Sequence, residues 1–199
     1  MKLYHWKNAP NPRRVRIFLA EKGVSVPMED VGQGFGLRPD YVRRYARAMV
    51  PMLELDDGTR ITESNVILQY LADRRPGTLA PAFGTLERYK LMEWLAFIAT
   101  EVHKGFGPLW NPQVEPAVRE RTIAALGNRF GYISKTLAAQ PYLTGNAFTI
   151  ADAYLFVVLN WTGYHKVDLK PWPALTEFQA RVAARPAVQA TLKAEGLGK

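Results

Sequence analysis

A hairpin signal at Asp57-Gly58 constrains the fold of this 199-residue chain more than any other feature. The dipeptide stands between two short apolar runs and accepts the positive φ angles that a tight hairpin turn requires. We therefore predict two antiparallel strands, Met52–Leu55 and Thr59–Ile61. The proline that precedes the first strand stands where a missing N–H costs no hydrogen bond of the ladder.

The residues on either side of the hairpin suit a small ligand that binds in an extended form. A cis Val50-Pro51 bond would turn the Val50 backbone outward and leave its N–H and C=O for the ligand. After the second strand, Glu63-Ser64 opens a helix whose N–H groups and dipole favour a carboxylate, and Glu63 can receive an ammonium. This set fits a small zwitterionic peptide. Taken alone, it fits an edge-strand proline and an ordinary helix start equally well.

The composition indicates a globular protein and excludes several kinds of chemistry. Apolar residues make up 48% and charged residues 22% of the chain, which has no cysteine. The absence of cysteine excludes disulfides, thiolate metal sites and any thiol chemistry of the protein's own. The three histidines have no metal-ligand spacing, so we expect no metal. With no long apolar run and no signal-peptide pattern at the N-terminus, we expect a soluble, cytoplasmic protein without a membrane partner.

The net charge of +8 raises the question of nucleic acid as a partner, because a basic face is typical of phosphate binding. The arginines, however, occur in short separate sets with no recognisable DNA- or RNA-binding motif. We therefore expect no nucleic-acid partner.

The first part of the chain predicts a mixed sheet with helices. Strand, helix and strand in sequence predict a parallel βαβ unit. Pro27 places the second strand at the edge of the sheet, and Gly23 ends the first helix. The order β-α-β-α-β-β-α predicts a thioredoxin-like α/β domain over residues 1–76. Its predicted elements besides the hairpin are strands Lys2–Trp6 and Val24–Val31 and helices Arg13–Lys22, Pro39–Tyr45 and Glu63–Asp73.

The remaining chain predicts a linker over residues 77–85 and an all-α domain over residues 86–199. The linker is rich in proline and glycine, which punctuate secondary structure. A capping box at Thr149 and Asp152 predicts a helix fixed at its N-terminus by side chains. The predicted helices are Leu86–Phe106, Glu115–Leu137, Thr149–Tyr164, Ala174–Ala184 and Ala187–Ala194.

This two-domain pattern, with its Val-Pro and Glu-Ser residues, resembles the cytosolic glutathione transferases over essentially the whole chain. Three segments look most similar to the bacterial beta class, namely Ile98–Phe106, Phe148–Phe156 and Ala194–Leu197. The resemblance implies an enzyme of detoxification that takes glutathione as co-substrate. It also implies a cytoplasmic homodimer formed through the first long helix and the helix after the hairpin.

The resemblance implies a role for several individual residues. The Val50 main chain, with Pro51 behind it, would pair with the cysteinyl backbone of glutathione, and Glu63 and Ser64 would hold the γ-glutamyl ammonium and carboxylate. His103 and Lys104 match a pair that faces the active cleft in the beta class. Histidine is also a common acid–base residue.

The chain departs from the beta class where the thiol chemistry occurs. That class carries a cysteine near the start of the first helix, and other classes use serine or tyrosine there. The corresponding segment of this chain is residues 9–13, in which Asn11 is the only polar uncharged side chain at or beside the place of the thiol. Asn11 can donate its amide NH₂ to a thiolate or cap the helix, and the two roles are compatible. Gln33 and Ala96 stand where the family uses lysine and asparagine. The Tyr4 hydroxyl could replace the missing side chain near the thiol, but the position of Tyr4 inside a strand favours a place in the core.

Arg13 or Arg14 could add positive charge near the thiolate from a longer distance. A second pocket for an apolar electrophile is expected from four aromatic residues, Phe35, Phe106, Trp110 and Tyr164.

The sequence thus favours a transferase that conjugates the glutathione thiolate to small hydrophobic electrophiles. A non-catalytic protein that binds glutathione or hydrophobic ligands on the same scaffold is the alternative. A purely structural or interaction module is the third interpretation.

Overall fold

A computed structural model describes residues 1–34, 36 and 39–198. The chain forms two compact units. The first comprises Met1–Pro76 together with Arg185–Lys199, and the second comprises Gly77–Ala184. Among the described residues, no helix combines the length and apolar character needed to cross a bilayer.

The first unit is built on a four-stranded mixed sheet in the order β2-β1-β3-β4. β1 pairs with β2 in parallel and with β3 in antiparallel fashion, and β3 and β4 form the hairpin. The predicted order of elements and the edge position of the second strand are confirmed. The bounds are β1 Lys2–His5, α1 Pro10–Glu21, β2 Met28–Asp30, α2 Pro39–Arg44, β3 Met52–Glu54, β4 Arg60–Thr62 and α3 Ser64–Arg74.

The hairpin turn forms at Asp57-Gly58 as the sequence predicts. Gly58 has a φ of 82°, in the left-handed region that glycine adopts without strain. The Thr59 N–H donates to Asp57 Oδ1 over 2.9 Å, and the Leu55 N–H donates to the Thr59 carbonyl over 2.8 Å. The side chain and backbone of the turn therefore fix the register of β3 and β4.

Helix α1 begins earlier than the sequence predicts. Its first residue is Pro10, and its N-cap is Ala9, which provides no side-chain hydrogen bond. Prolines 10 and 12 fit the first turn because the N–H groups there have no partner within the helix. The expectation that Asn11 caps this helix is therefore wrong, since Asn11 lies inside the helix.

The second unit is helical, and its first long helix changes type along its length. α4 gives way to a π-helical turn over Ile98–His103 and then to a 3₁₀ segment over Lys104–Trp110. A side chain at Gly105 would place its Cβ 2.8 Å from Leu126 Cδ2, so any other residue there would require the Leu126 side chain on α5 to shift. The helices are α4 Leu86–Phe97, α5 Pro116–Ala139, α6 Ile150–Leu159, α7 Trp161–His165 and α8 Pro173–Ala183.

The predicted capping box fixes the start of α6. The Asp152 carboxylate accepts hydrogen bonds from the Thr149 N–H over 2.8 Å and from the Thr149 hydroxyl over 2.7 Å. It also accepts from the Leu143 N–H over 2.9 Å. Asp152 is fully buried, and burial raises its pKa to about 6. The Ile150 N–H donates to the Leu79 carbonyl over 2.9 Å, which ties part of the expected linker to this helix.

The last helix, α9, spans Pro186–Ala194 and belongs to the first unit, whereas the sequence predicts one domain over residues 86–199. The reason is a set of ion pairs with α1. Glu195 lies 2.6 Å from both Arg13 Nε and Arg16 Nη2, and Arg185 Nε lies 2.6 Å from Glu21 Oε1. The Glu195 side chain is 1% exposed. These pairs join residues far apart in sequence, so no local pattern reveals them.

Candidate functional site

Val50 is the first of the predicted glutathione-binding residues along the chain. The Val50-Pro51 peptide bond is cis, as the sequence suggests. Within residues 1–34, 36 and 39–198, the Val50 N–H and C=O have no hydrogen-bond partner. The preceding carbonyl, of Met49, accepts from the Tyr41 hydroxyl over 2.6 Å, which holds this turn against α2.

Glu63 precedes α3 in an unusual conformation. It is the N-cap residue, with φ 65° and ψ 116°, a region that non-glycine residues rarely adopt. Such outliers persist where the surrounding structure enforces them, which is often at functional sites. The Glu63 carboxylate lies 2.8 Å from Arg47 Nη1, and both side chains are more than half exposed. An exposed pair of this kind contributes little energy, so an incoming ammonium can compete for the carboxylate.

Ser64 is the first residue of α3 and is buried. Its Oγ accepts a hydrogen bond from Arg14 Nη1 over 2.9 Å. The amide oxygen of the next residue, Asn65, is buried without a hydrogen-bond partner in the part of the chain that the structure describes. Buried polar atoms are nearly always satisfied, so this acceptor at the start of α3 is an exception to the usual pattern.

Asn11 and Ser64 are joined through Arg14. Asn11, the second residue of α1, accepts at Oδ1 from Arg14 Nη2 over 2.8 Å. Arg14 itself is 1% exposed. The structure thus brings together the start of α1 and the start of α3, two helix ends whose dipoles favour an anion.

The sequence does not reveal the positioning of Asn11 and Ser64 by Arg14. It suggests only that Arg13 or Arg14 adds positive charge near the thiolate from a longer distance, whereas the structure buries both side chains and pairs Arg13 with Glu195. Nothing in the local pattern separates a buried arginine from an exposed one. The one available signal is the position of Arg14 three residues after Asn11, which places both on one face of the helix.

Tyr4 belongs to the core, as the sequence favours. It is 1% exposed and packs with Tyr41, Val50 and Met52. Its hydroxyl accepts from Arg44 and donates to Glu54. The Tyr4 hydroxyl is therefore hydrogen-bonded to residues of α2 and β3.

In the helical unit, His103 lies in the π-helical turn and is half-buried. Its Nδ1 lies 2.8 Å from the Tyr154 hydroxyl, and its ring packs edge-on against Trp161 at a centroid distance of 4.8 Å. π-Helical turns are rare and frequently occur at functional sites. Lys104, which follows, is exposed.

The structure divides the aromatic residues expected to line a second pocket. Phe106 is fully buried, so the expectation that it lines an open pocket is wrong, because a ring without exposed surface offers no face to a ligand. Trp110 and Tyr164 stack at 5.4 Å and are 46% and 74% exposed. Trp110 also packs edge-on against Trp161, which links this pair to His103. Phe35 lies outside the described residues.

Among the residues that the structure describes, no group of three or more His, Cys, Asp or Glu side chains could hold a metal ion.

Comparison with known proteins places the chain in a family. The family model for the glutathione S-transferase N-terminal domain matches residues 9–74, and the model for the C-terminal domain matches residues 97–186. The chain is 44% identical over 160 residues to the glutathione S-transferase GstA of Escherichia coli O157:H7, which covers 79% of each chain.

Solved structures agree with this placement. A sphingomonad glutathione S-transferase complexed with glutathione is 37% identical, with a TM-score of 0.89 and full coverage of both chains. The bacterial beta class glutathione S-transferase of Sphingomonas chungbukensis is 36% identical, with a TM-score of 0.88, and covers 99% of this chain and 100% of its own. The fold expected from the sequence is thereby confirmed, and the chain belongs to the glutathione S-transferase family.

Proposed function

We propose that this glutathione transferase binds glutathione along Val50-Pro51 and at the start of α3, and conjugates the glutathione thiolate to small hydrophobic electrophiles. The observation that carries the proposal is the arrangement in the first unit. The Val50 backbone has no partner among the described residues, Glu63 has a strained conformation, and Ser64 is joined to Asn11 through Arg14. The similarity to a family member solved with glutathione supports the same ligand.

Each contact in the proposal follows from the chemistry of the group involved. The Val50 N–H and C=O pair with the cysteinyl backbone. The N-terminus of α3 and the Ser64 hydroxyl take the γ-glutamyl carboxylate, and Glu63 takes the ammonium. Lys104 is proposed as a cationic contact to the peptide, because its exposed ammonium is available for a carboxylate.

Catalysis requires that the bound thiol become a thiolate. A free thiol has a pKa of about 8.5 and is mostly protonated at neutral pH. With no cysteine in the chain, the protein itself forms no mixed disulfide. We assign thiolate stabilisation to the Asn11 amide NH₂ and to the N-terminus of α1. His103 is assigned as a second catalytic residue that exchanges protons, supported by its polar contact with Tyr154.

The electrophile is proposed to contact Trp110 and Tyr164, whose stacked rings provide an exposed aromatic surface. The protein is further proposed to act as a homodimer. The support is a second apolar face on α4, where Leu86, Tyr89 and Met92 are exposed while Leu91 and Leu95 are buried.

Calorimetric titration with glutathione tests the binding part of the proposal. The proposal predicts a saturable heat with one site per chain. Absence of binding at millimolar glutathione would leave only the interpretation as a structural module. If glutathione binds but no conjugate forms, the non-catalytic binder is the correct interpretation.

A further inference from the structure

Two of the hydrogen bonds that Arg14 makes do more than hold two helices together. Arg14 Nη1 donates to Ser64 Oγ over 2.9 Å, and Nη2 donates to Asn11 Oδ1 over 2.8 Å. The guanidinium is buried, which makes these bonds stronger and their geometry more uniform than on the surface.

A guanidinium group has N–H donors and no acceptor. The Asn11 amide must therefore turn its oxygen toward Arg14 and its NH₂ away, since the reverse orientation would set two donors against each other. The same argument applies to Ser64. Its oxygen accepts from Arg14, so its hydroxyl hydrogen points elsewhere and is available to a ligand.

We propose that Arg14 is a positioning residue that sets Asn11 and Ser64 as hydrogen-bond donors toward the thiolate and the γ-glutamyl carboxylate of glutathione. This inference rests on the proposed function. Both ligand groups are anions and need donors. Without Arg14, the Asn11 amide can rotate to present its oxygen, whose lone pairs repel a thiolate.

Arg13 provides a matched control. It is the neighbouring residue on α1, carries the same charge and is also buried. Its Nε bonds Glu195 Oε2 over 2.6 Å. A general effect of positive charge would thus appear in both arginine variants, whereas an effect of orientation would appear only in Arg14 variants.

The experiment measures the pKa of the bound glutathione thiol, from the ultraviolet absorbance of the thiolate as pH is varied, together with the KM for glutathione. Arg14→Met is expected to raise the thiol pKa by about 1, a tenfold change in the ionisation constant, and to raise KM about tenfold. Arg14→Lys keeps the charge but not the two-pronged geometry, so it is expected to raise the thiol pKa as well. Arg13→Met removes a positive charge but no donor to Asn11 or Ser64, so it should shift both quantities far less than Arg14→Met.

A double variant tests the hydrogen bond between Arg14 and Asn11 separately, even if Arg14→Met does not fold. In an Asn11→Ala background, Arg14→Lys should cause no further change in the thiol pKa but should still raise KM through Ser64. Full additivity in the thiol pKa would overturn the inference. Equal shifts in Arg13→Met and Arg14→Met would also overturn it, because charge alone would then explain them.

The same measurements separate this inference from the proposed function. A wild-type protein without any thiolate absorbance on adding glutathione would overturn both. A wild-type protein with a clear thiolate signal and Arg14 variants that behave like it would overturn the positioning role alone.

Discussion

In the proposed mechanism, two features at Asn11 stabilise the thiolate sulfur of glutathione. One is the dipole at the N-terminus of α1, and the other is the amide NH₂ of the Asn11 side chain. It lies in the first turn of a twelve-residue helix, and its oxygen is committed to Arg14. The NH₂ group is then its remaining hydrogen-bonding function. An amide donor stabilises a thiolate and, unlike a cysteine, cannot be oxidised.

We predict that Asn11→Ala lowers the conjugation rate by about tenfold to a thousandfold, the effect of removing one donor to a developing anion. It should also cost about 1–3 kcal/mol of stability, because a buried N–H of Arg14 loses its acceptor. Asn11→Asp is the matched variant, since it keeps the acceptor for Arg14 but removes the donor. It should retain stability and still lose rate. Wild-type turnover in both variants would remove Asn11 from the catalytic group.

Glu63 gives a second prediction for a single residue. Replacing Glu63 by Ala should weaken glutathione binding by about 1.5–3 kcal/mol, the range for a hydrogen bond to a charged group. Arg47→Ala is the opposing control. Because it frees the Glu63 carboxylate from an exposed pair, it should tighten binding by up to about fivefold. Calorimetry that gives an unchanged dissociation constant for Glu63→Ala would exclude the proposed ammonium contact.

Residues with local signals were predicted from sequence, and residues with only long-range partners were not. The cis bond before Pro51 and the core position of Tyr4 follow from neighbours in the chain. Arg14 acquires its role from Ser64, fifty residues away. The Phe106 ring is buried because α5 and α7 cover it, which its own segment does not reveal.

At the scale of elements, α6 depends on a buried carboxylate. Asp152 is satisfied by two backbone N–H groups and one hydroxyl, all at the N-terminal end of the helix. Burial nevertheless disfavours its charge and raises its pKa from 3.8 to about 6.

This pKa predicts how stability changes with pH. A carboxyl group whose pKa is higher in the folded than in the unfolded state binds its proton more tightly when folded. Its contribution is fully present below pH 3.8 and is lost as pH rises through about 6. The free energy of unfolding of the wild type, relative to Asp152→Asn, should therefore fall over this range in denaturant titrations. A rise over the same range would show that the hydrogen bonds outweigh burial.

The elements themselves were largely predictable, and their ends were not. Turn and capping residues such as Gly58 and Asp152 act through their immediate neighbours, so the hairpin and α6 were found. The predicted start of α1 is three residues late, because Pro10 and Pro12 are tolerated in a first turn, where the N–H groups have no partner within the helix. The 3₁₀ segment after α4 lies close to Leu126 on α5 at Gly105, a contact between residues far apart in sequence.

At the scale of the whole molecule, buried ion pairs as well as apolar contacts determine which helices belong to which unit. The sequence correctly predicts that α9 is a helix. It does not show that Glu195, which follows α9, forms ion pairs with arginines of α1 in the first unit. Sequence alone gives the type of such a helix and not its neighbour.

The proposed homodimer is testable through the exposed apolar residues of α3 and α4. Val66 on α3 is 49% exposed and Tyr89 on α4 is 57% exposed. Light scattering at micromolar concentration should give about twice the chain mass of 22.4 kDa. Val66→Lys should shift the protein toward the monomer, whereas Leu197→Lys, at an exposed apolar residue outside both helices, should not. A wild-type mass of one chain would contradict the dimer.

The central claim is that a chain without cysteine ionises bound glutathione and transfers it. The most direct measurement is the initial rate of conjugation of glutathione to an activated aryl halide at near-neutral pH, as glutathione is increased. We predict a rate above the uncatalysed reaction that saturates with glutathione and falls in Asn11→Ala. A rate equal to that of the buffer, in a protein that still binds glutathione by calorimetry, would contradict the claim and establish the non-catalytic binder.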